Sequence, residues 1–345
     1  MRSHKRLAAV ALILTAVAVL AAGALYYRHR RRHRLLFWPP KNAGDYAGAL
    51  DWVAPPFDPS KESSRPWLDA KKSAPPPTTY HTYAASSING QQTDYLVYLP
   101  PGYEDAANAQ RRYPVIYFLH GYGSEPQYGG SFVDTLDAAV RAGVAPPIIA
   151  VLPNGLYDSW YVDAVDGSQP IESVIVKDLI PHIDRTFRTV ANRRARAVEG
   201  FSMGAWGAAH LAFKYPDLFC AATLISAPMH SNETFPQPDV PFFRNARAFY
   251  AEDPVTLARR NAAGLREKVR TRILIGELDS HLLLARAFDQ HLGEWGFSRE
   301  LTVVPGIGHS DELIYQRLGP AVFGFYKSLF TDSLFEKKDN QEATQ

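Results

Sequence analysis

Apolar positions recur along this chain at two different periods, and the alternation between them predicts its elements. Residues 80–86 and 91–99 read as strands, and Ser87-Ile88-Asn89-Gly90 between them carries the Asn-Gly pair that favours a tight hairpin. Val115-Ile116-Tyr117-Phe118-Leu119 and Pro147-Ile148-Ile149-Ala150-Val151-Leu152 are continuous apolar runs, as strands covered on both faces require. Residues 171–187 change to a helical period, with Ile171, Val174, Ile175, Leu179, Ile180 and Ile183 on one side. Further on, 194–199 predicts a strand, 205–213 a helix and 221–226 a strand. After them come a strand at 271–275, a helix from about 281 to 295, a strand at 301–304 and a closing helix from about 312 to 330. Strands alternating with helices after an antiparallel start predict an α/β fold, with one mainly parallel central sheet and helices on both faces. Residues 227–265 break the alternation: Phe235, Phe242, Phe243, Phe249 and Tyr250 follow no period, and an irregular, lid-like excursion is expected there.

The first part of the chain has a different pattern. Leu7 to Tyr27 is an uncharged run of 21 residues, long enough to cross a bilayer as a helix. Arg2, Lys5 and Arg6 precede it, and Arg28, Arg30, Arg31, Arg32 and Arg34 follow. Residues 1–37 are therefore expected to be a signal anchor, with a signal peptide cut after Ala22-Gly23-Ala24 as the competing reading. The anchor reading makes the membrane a partner and puts the body outside the cytoplasm; cleavage would make the protein secreted. Residues 38–79 hold Pro39-Pro40, Pro55-Pro56 and Pro75-Pro76-Pro77 and read as a linker. The body is expected over 80–332, and 333–345 form a polar tail.

Charge changes this picture in one respect. The chain's net charge of +2 conceals eight basic residues and no acidic one in the first 40, leaving 29 basic against 35 acidic residues in the rest. A mildly acidic body argues against a nucleic-acid partner. Cys220 is the only cysteine, so neither an intrachain disulfide nor a cysteine metal cluster can form.

The candidate chemistry centres on Gly200-Phe201-Ser202-Met203-Gly204, between a predicted strand and a predicted helix. Gly-x-Ser-x-Gly in that context predicts a sharp turn that lifts a nucleophilic hydroxyl clear of the sheet at a helix N-terminus. A serine hydroxyl needs a base, and the base needs an orienting group. Asp279 follows the strand at 271–275, and His309 follows the strand at 301–304 after a Gly-x-Gly turn, so Ser202, Asp279 and His309 are the expected catalytic set. Glu277 and Asp311 are rival acids, and Asp279 could instead serve as a helix N-cap. The Met203 N–H is expected to form an oxyanion hole with the Tyr122 N–H, with Gly121 as the next choice. His120 is expected to pack structurally. Trp160 and Tyr161 are candidate walls of a substrate pocket or part of a surface loop, whereas Trp206, Phe213 and Tyr215 are expected to pack the helix after Ser202. No metal, nucleotide or dinucleotide motif occurs, and no cofactor or metal is expected.

These stretches carry a resemblance to a known family. The chain resembles the esterase D-like branch of the α/β-hydrolases, which includes feruloyl esterases, S-formylglutathione hydrolases and mycolyltransferases. The matching stretches are Val97-Tyr98-Leu99-Pro100-Pro101-Gly102-Tyr103, Leu119-His120-Gly121, 177–184, Gly200–Gly204, 214–219, Gly276-x-x-Asp279 and Gly306-x-Gly-His309. Ala205, where a glycine often follows Ser-Met-Gly, and Asp311, where an aromatic often follows the histidine, depart from the pattern. The resemblance implies the α/β-hydrolase fold and a serine carboxylic-ester hydrolase acting on a small-molecule ester through an acyl-enzyme. An acyltransferase and a non-catalytic, membrane-tethered binding protein on the same fold are the alternatives.

Overall fold

Asn89 and Gly90 stand at φ +56° and +77°, and they close β1 (Thr78–Ala85) onto β2 (Gln91–Tyr98) as an antiparallel pair. This hairpin opens a computed structural model that describes residues 67–68, 74–229 and 246–330. The apolar run 7–27, most of the linker, residues 230–245 of the excursion and the tail from 331 lie outside the described residues. Among those described, no helix is long and apolar enough to cross a membrane.

Six more strands complete one sheet: β3 (Val115–Leu119), β4 (Ile149–Pro153), β5 (Arg196–Phe201), β6 (Ala221–Ile225), β7 (Arg270–Gly276) and β8 (Arg299–Val304). Their order is β1-β2-β4-β3-β5-β6-β7-β8. The pairings β1–β2 and β2–β4 are antiparallel, and the rest are parallel. Every residue of β3, β4 and β6 is buried, which is why these strands are continuous apolar runs. Alternate residues feed two cores. Val115, Tyr117 and Leu119 face one, while Ile116 and Phe118 face the other.

Helices cover both faces. The first core takes residues from α2 (171–186), α3 (Met203–Lys214), α4 (Ala246–Glu252), α5 (Pro254–Leu265) and α6 (Leu282–Glu294). The second takes them from α1 (Gly130–Arg141), α7 (Asp311–Leu318) and α8 (324–330).

Four features depart from the pattern reading. Helix α1 was not anticipated, although Phe132, Val133, Leu136 and Ala139 form a buried stripe on it. The centre of α2, Val174–Leu179, is wound as a π-helix just before Pro181, which has no N–H to continue the ladder. The second part of the excursion is not irregular, because α4 and α5 bury Phe249, Leu257 and Ala258 in the first core. The closing segment is not one helix: Gly319, at φ +60°, and Pro320 end α7 and start a 3-10 turn before α8.

A polar row crosses the buried sheet. Glu199, Thr223, Arg272 and Glu300 are successive partners on β5, β6, β7 and β8. Glu199 accepts the hydroxyl hydrogens of Tyr315 on α7 and Tyr326 on α8, and the Arg272 guanidinium lies 3.8 Å from its carboxylate. Both helices that follow the last strand are thereby tied to the strand that leads into Ser202.

A second cluster makes stability depend on pH. The Tyr95 hydroxyl meets His182 Nε2 at 2.9 Å, and the His81 ring stacks on Tyr95. Burial pushes both histidines below the ordinary value of 6.5, and at His182 the Arg185 and His81 charges add to the effect. The unfolded chain therefore takes up these protons first as pH falls. Their contribution to stability is constant above pH 6.5 and is lost below it, toward the lowered folded values. Asp253, pushed up to about 6 by burial, acts in the opposite sense. The expected result is thus a difference: between pH 7.5 and 5.0, Tm should fall further in the unaltered protein than in His182→Gln, as thermal unfolding would show.

Candidate active site

Strand β5 ends in a turn that only its glycines permit. A Cβ on Gly204 would lie 2.0 Å from the Leu119 carbonyl oxygen, and one on Gly200 would lie 2.2 Å from the carbonyl oxygen of Gly204. The start of α3 can therefore press against β3. Ser202 takes φ +54° and ψ −117° in this turn, a strained conformation for a residue with a side chain. Its N–H donates to the Ile225 carbonyl, which anchors the turn to β6.

The loops after β7 and β8 are zipped together, with the Glu277 N–H donating to the Val304 carbonyl and the Leu278 N–H to that of Ile307. His309 is carried on this paired edge, its ring beside that of Phe201, and Ser310 next to it caps α7. His309 Nε2 lies 2.9 Å from Ser202 Oγ, and His309 Nδ1 lies 2.9 Å from Asp279 Oδ2. With Nδ1–H donating to the carboxylate, Nε2 is left to accept the serine hydroxyl; the tautomer follows from these partners.

Asp279 is buried, and its Oδ1 accepts the His281 N–H at 2.8 Å. Burial works against its charge, but the hydrogen bonds from His281 and His309 outweigh it and hold the carboxyl well below the usual range. The carboxylate thus braces the chain entering α6 and meets His309 as well. Glu277 turns elsewhere, accepting the Gly306 N–H at 3.0 Å. Asp311 begins α7 and lines the cleft over Ser202; burial pushes its carboxyl up.

The stretch after β3 is held from below. His120 is buried; its Nδ1–H donates to the Gly121 carbonyl, and its Nε2 accepts the Gly155 N–H. The Tyr161 hydroxyl donates to the His120 carbonyl at 3.0 Å. The N–H groups of Gly123 and Ser124 are engaged by the Tyr157 and Gly121 carbonyls, leaving Gly121 and Tyr122 as the donors to consider on this loop. The Met203 N–H opens α3, where a helix offers no internal acceptor.

A cleft of about 330 Å³ lies over this arrangement, lined by Ser202, His309, Gly121, Tyr122, Tyr128 and Phe201 among others. Tyr161 is not on its wall: it is fully buried, with its ring against Gly155 and Gly207. Trp160 is half-buried, edge-on to Trp206, and its backbone N–H donates to Met203 Sδ, so it stands behind the elbow. Trp206 and Phe213 are buried under α3, and the Tyr215 hydroxyl donates to Glu172. Pattern reading missed Tyr128, which lies in a 3-10 turn, Pro126–Gly129, just before the unanticipated α1, and His281, whose only signal was its spacing from Asp279.

Known esterases share sequence and fold with this chain. A family model described as "Putative esterase" matches residues 86–302. Esterase Rv1288 of Mycobacterium tuberculosis is 35% identical over 160 residues, which are 45% of this chain and 33% of that protein. An endo-1,4-beta-xylanase/feruloyl esterase of Xylanibacter ruminicola is 31% identical over 160 residues, 44% of this chain and 22% of its own length. The chain therefore spans about a third or less of these relatives. Among solved structures, a ferulic acid esterase superposes with a TM-score of 0.64 at 27% identity, covering 73% of this chain and 98% of its own. An S-formylglutathione hydrolase from Agrobacterium tumefaciens, at 17% identity, shares the fold with a TM-score of 0.59 over 73% of this chain and 95% of its own.

Proposed function

The chain belongs to the esterase family whose model spans residues 86–302, and on that footing we propose that it hydrolyses carboxylic esters through an acyl-enzyme on Ser202. The observation that carries the reading is the unbroken contact from Asp279 through His309 to Ser202, both links 2.9 Å long. His309 Nε2 takes the hydroxyl proton as Ser202 Oγ bonds to the ester carbonyl carbon. The negative charge gathered on the carbonyl oxygen is met by the N–H groups of Met203 and Tyr122, each such donor worth about 3 kcal/mol. Collapse of that intermediate breaks the ester C–O bond, and His309 returns the proton to the departing alcohol. Water then repeats the sequence on the acyl-serine, releasing the acid and restoring the hydroxyl.

Asp279 keeps its charge throughout, orienting the imidazole and offsetting the imidazolium charge. The substrate is a small-molecule ester with a part that packs on Phe201, Tyr122 and Tyr128. A fluorophosphonate probe should label the protein once, on the peptide carrying Ser202, and ester substrate should slow the labelling. Mass spectrometry that found no adduct, or one on another serine, would remove this reading.

A further inference from the structure

The Asp279 carboxylate faces two histidines. Oδ2 meets His309 Nδ1 at 2.9 Å, and Oδ1 lies 3.4 Å from His281 Nδ1, a buried nitrogen. The two rings stand edge to face with centroids 5.1 Å apart, and one ligand atom from each of the three residues falls within 4.8 Å of the others. We propose that Asp279, His281 and His309 form an inhibitory site for zinc.

Donor type and spacing both fit that ion. Two imidazole nitrogens and one carboxylate oxygen suit zinc, whereas calcium and magnesium call for oxygen ligands. Tetrahedral zinc with ordinary bond lengths sets its ligand atoms about 3.3 Å apart, so the three donors, now within 4.8 Å of one another, have to draw in by ring movements to share one ion. The side chains of His281 and His309 are 28% and 35% exposed, which leaves a watered edge for entry and for the fourth ligand. Charge also separates this group from the other three-residue convergence, Glu172, His210 and Glu252. There Lys214 Nζ already lies 2.8 Å from Glu172 and 2.6 Å from Glu252, supplying the positive charge itself. Among the described residues, no lysine or arginine is paired with Asp279.

Zinc at this position would switch off the serine without touching it. Neutral imidazole carries one proton, held on Nδ1 of His309 while that nitrogen donates to Asp279. Coordination through the Nδ1 lone pair moves that proton to Nε2 with none released. Nε2 then faces Ser202 Oγ as a donor and can no longer accept the hydroxyl proton. This inhibition rests on the proposed esterase mechanism; the binding of the ion does not.

The experiment has two arms. In metal-stripped buffer, ~50 µM zinc should lower p-nitrophenyl acetate turnover at least ~10-fold, and EDTA should restore it. In His281→Gln the zinc concentration for half-inhibition should rise ~10-fold or more, compared with the same variant's own metal-free rate. Equal sensitivity of the two proteins, or none in either, overturns the site. The second arm titrates cobalt into Ser202→Ala and reads the visible absorption of tetrahedral cobalt, which should be absent when His281→Gln is added. No absorption in Ser202→Ala refutes the site. Absorption in Ser202→Ala, together with no ester turnover by the unaltered protein, upholds the site and instead removes the hydrolase reading.

Discussion

Ser202→Ala is expected to lower kcat for p-nitrophenyl acetate by about 10⁵- to 10⁶-fold, the loss found when the nucleophile of such a set is removed. The size of the effect comes from the chemistry lost. Without Oγ no acyl-enzyme forms, and the residual rate is what the oxyanion donors and substrate binding give to direct attack by water. The fold should survive. Backbone strain at Ser202 belongs to the turn, and the N–H that donates to Ile225 remains in alanine. Burst kinetics and circular dichroism on the purified variant check both halves; turnover within tenfold of the unaltered protein would exclude Ser202 as the nucleophile.

The second large effect separates two acids only two residues apart. Asp279→Asn should cost about 10⁴-fold in kcat, because an amide no longer holds the imidazole in the tautomer that accepts the serine proton. Glu277→Gln should stay within about threefold, since its carboxylate accepts the Gly306 N–H, a bond an amide oxygen can also accept. The rates of the two variants, compared at neutral pH on one substrate, decide the matter. A larger loss for Glu277→Gln would overturn the arrangement in which His309 leans on Asp279. Asp279 also braces the start of α6 through the His281 N–H, so Tm of Asp279→Asn belongs beside its rate.

Family membership and the local geometry bear on different parts of this argument. The match over 86–302 ties the chain to esterases, and it stops short of His309. What brings His309 to Ser202 is the pairing of the loops after β7 and β8, together with the tie from Glu199 to α7 and α8. A substitution in that buried row would be felt at the imidazole although it touches no substrate.

Several misses had signals that went unread. Asp253 accepts the Thr256 N–H and Pro254 occupies the first turn of α5, so an N-cap followed by proline marked a helix inside the stretch expected to be irregular. The aromatic residues around it obscured the period. Helix α1 was masked by Gly129 and Gly130 at its start, although its apolar stripe runs at helical spacing. The interruption at Gly319-Pro320 was written in the residues themselves, and only the apolar positions on both sides suggested continuity.

The elbow was legible because everything it requires lies within five residues. A strained turn needs small neighbours, and Gly200 and Gly204 flank Ser202 at the only spacing that allows it. The sheet was legible for a similar reason, since strands covered on both faces must be apolar at every position. Chain order could bring two acids to one loop, but it could not say which faces the imidazole. That was decided by the pairing of the loops after the parallel strands β7 and β8, where Glu277 turns toward Gly306 and Asp279 toward His309. Tyr161 was decided the same way: a residue that reads as a pocket wall lies under the His120 carbonyl because α3 and the loop after β4 close over it. Local strain and burial period are properties of adjacent residues, whereas the direction a side chain takes at a loop depends on partners distant in the chain.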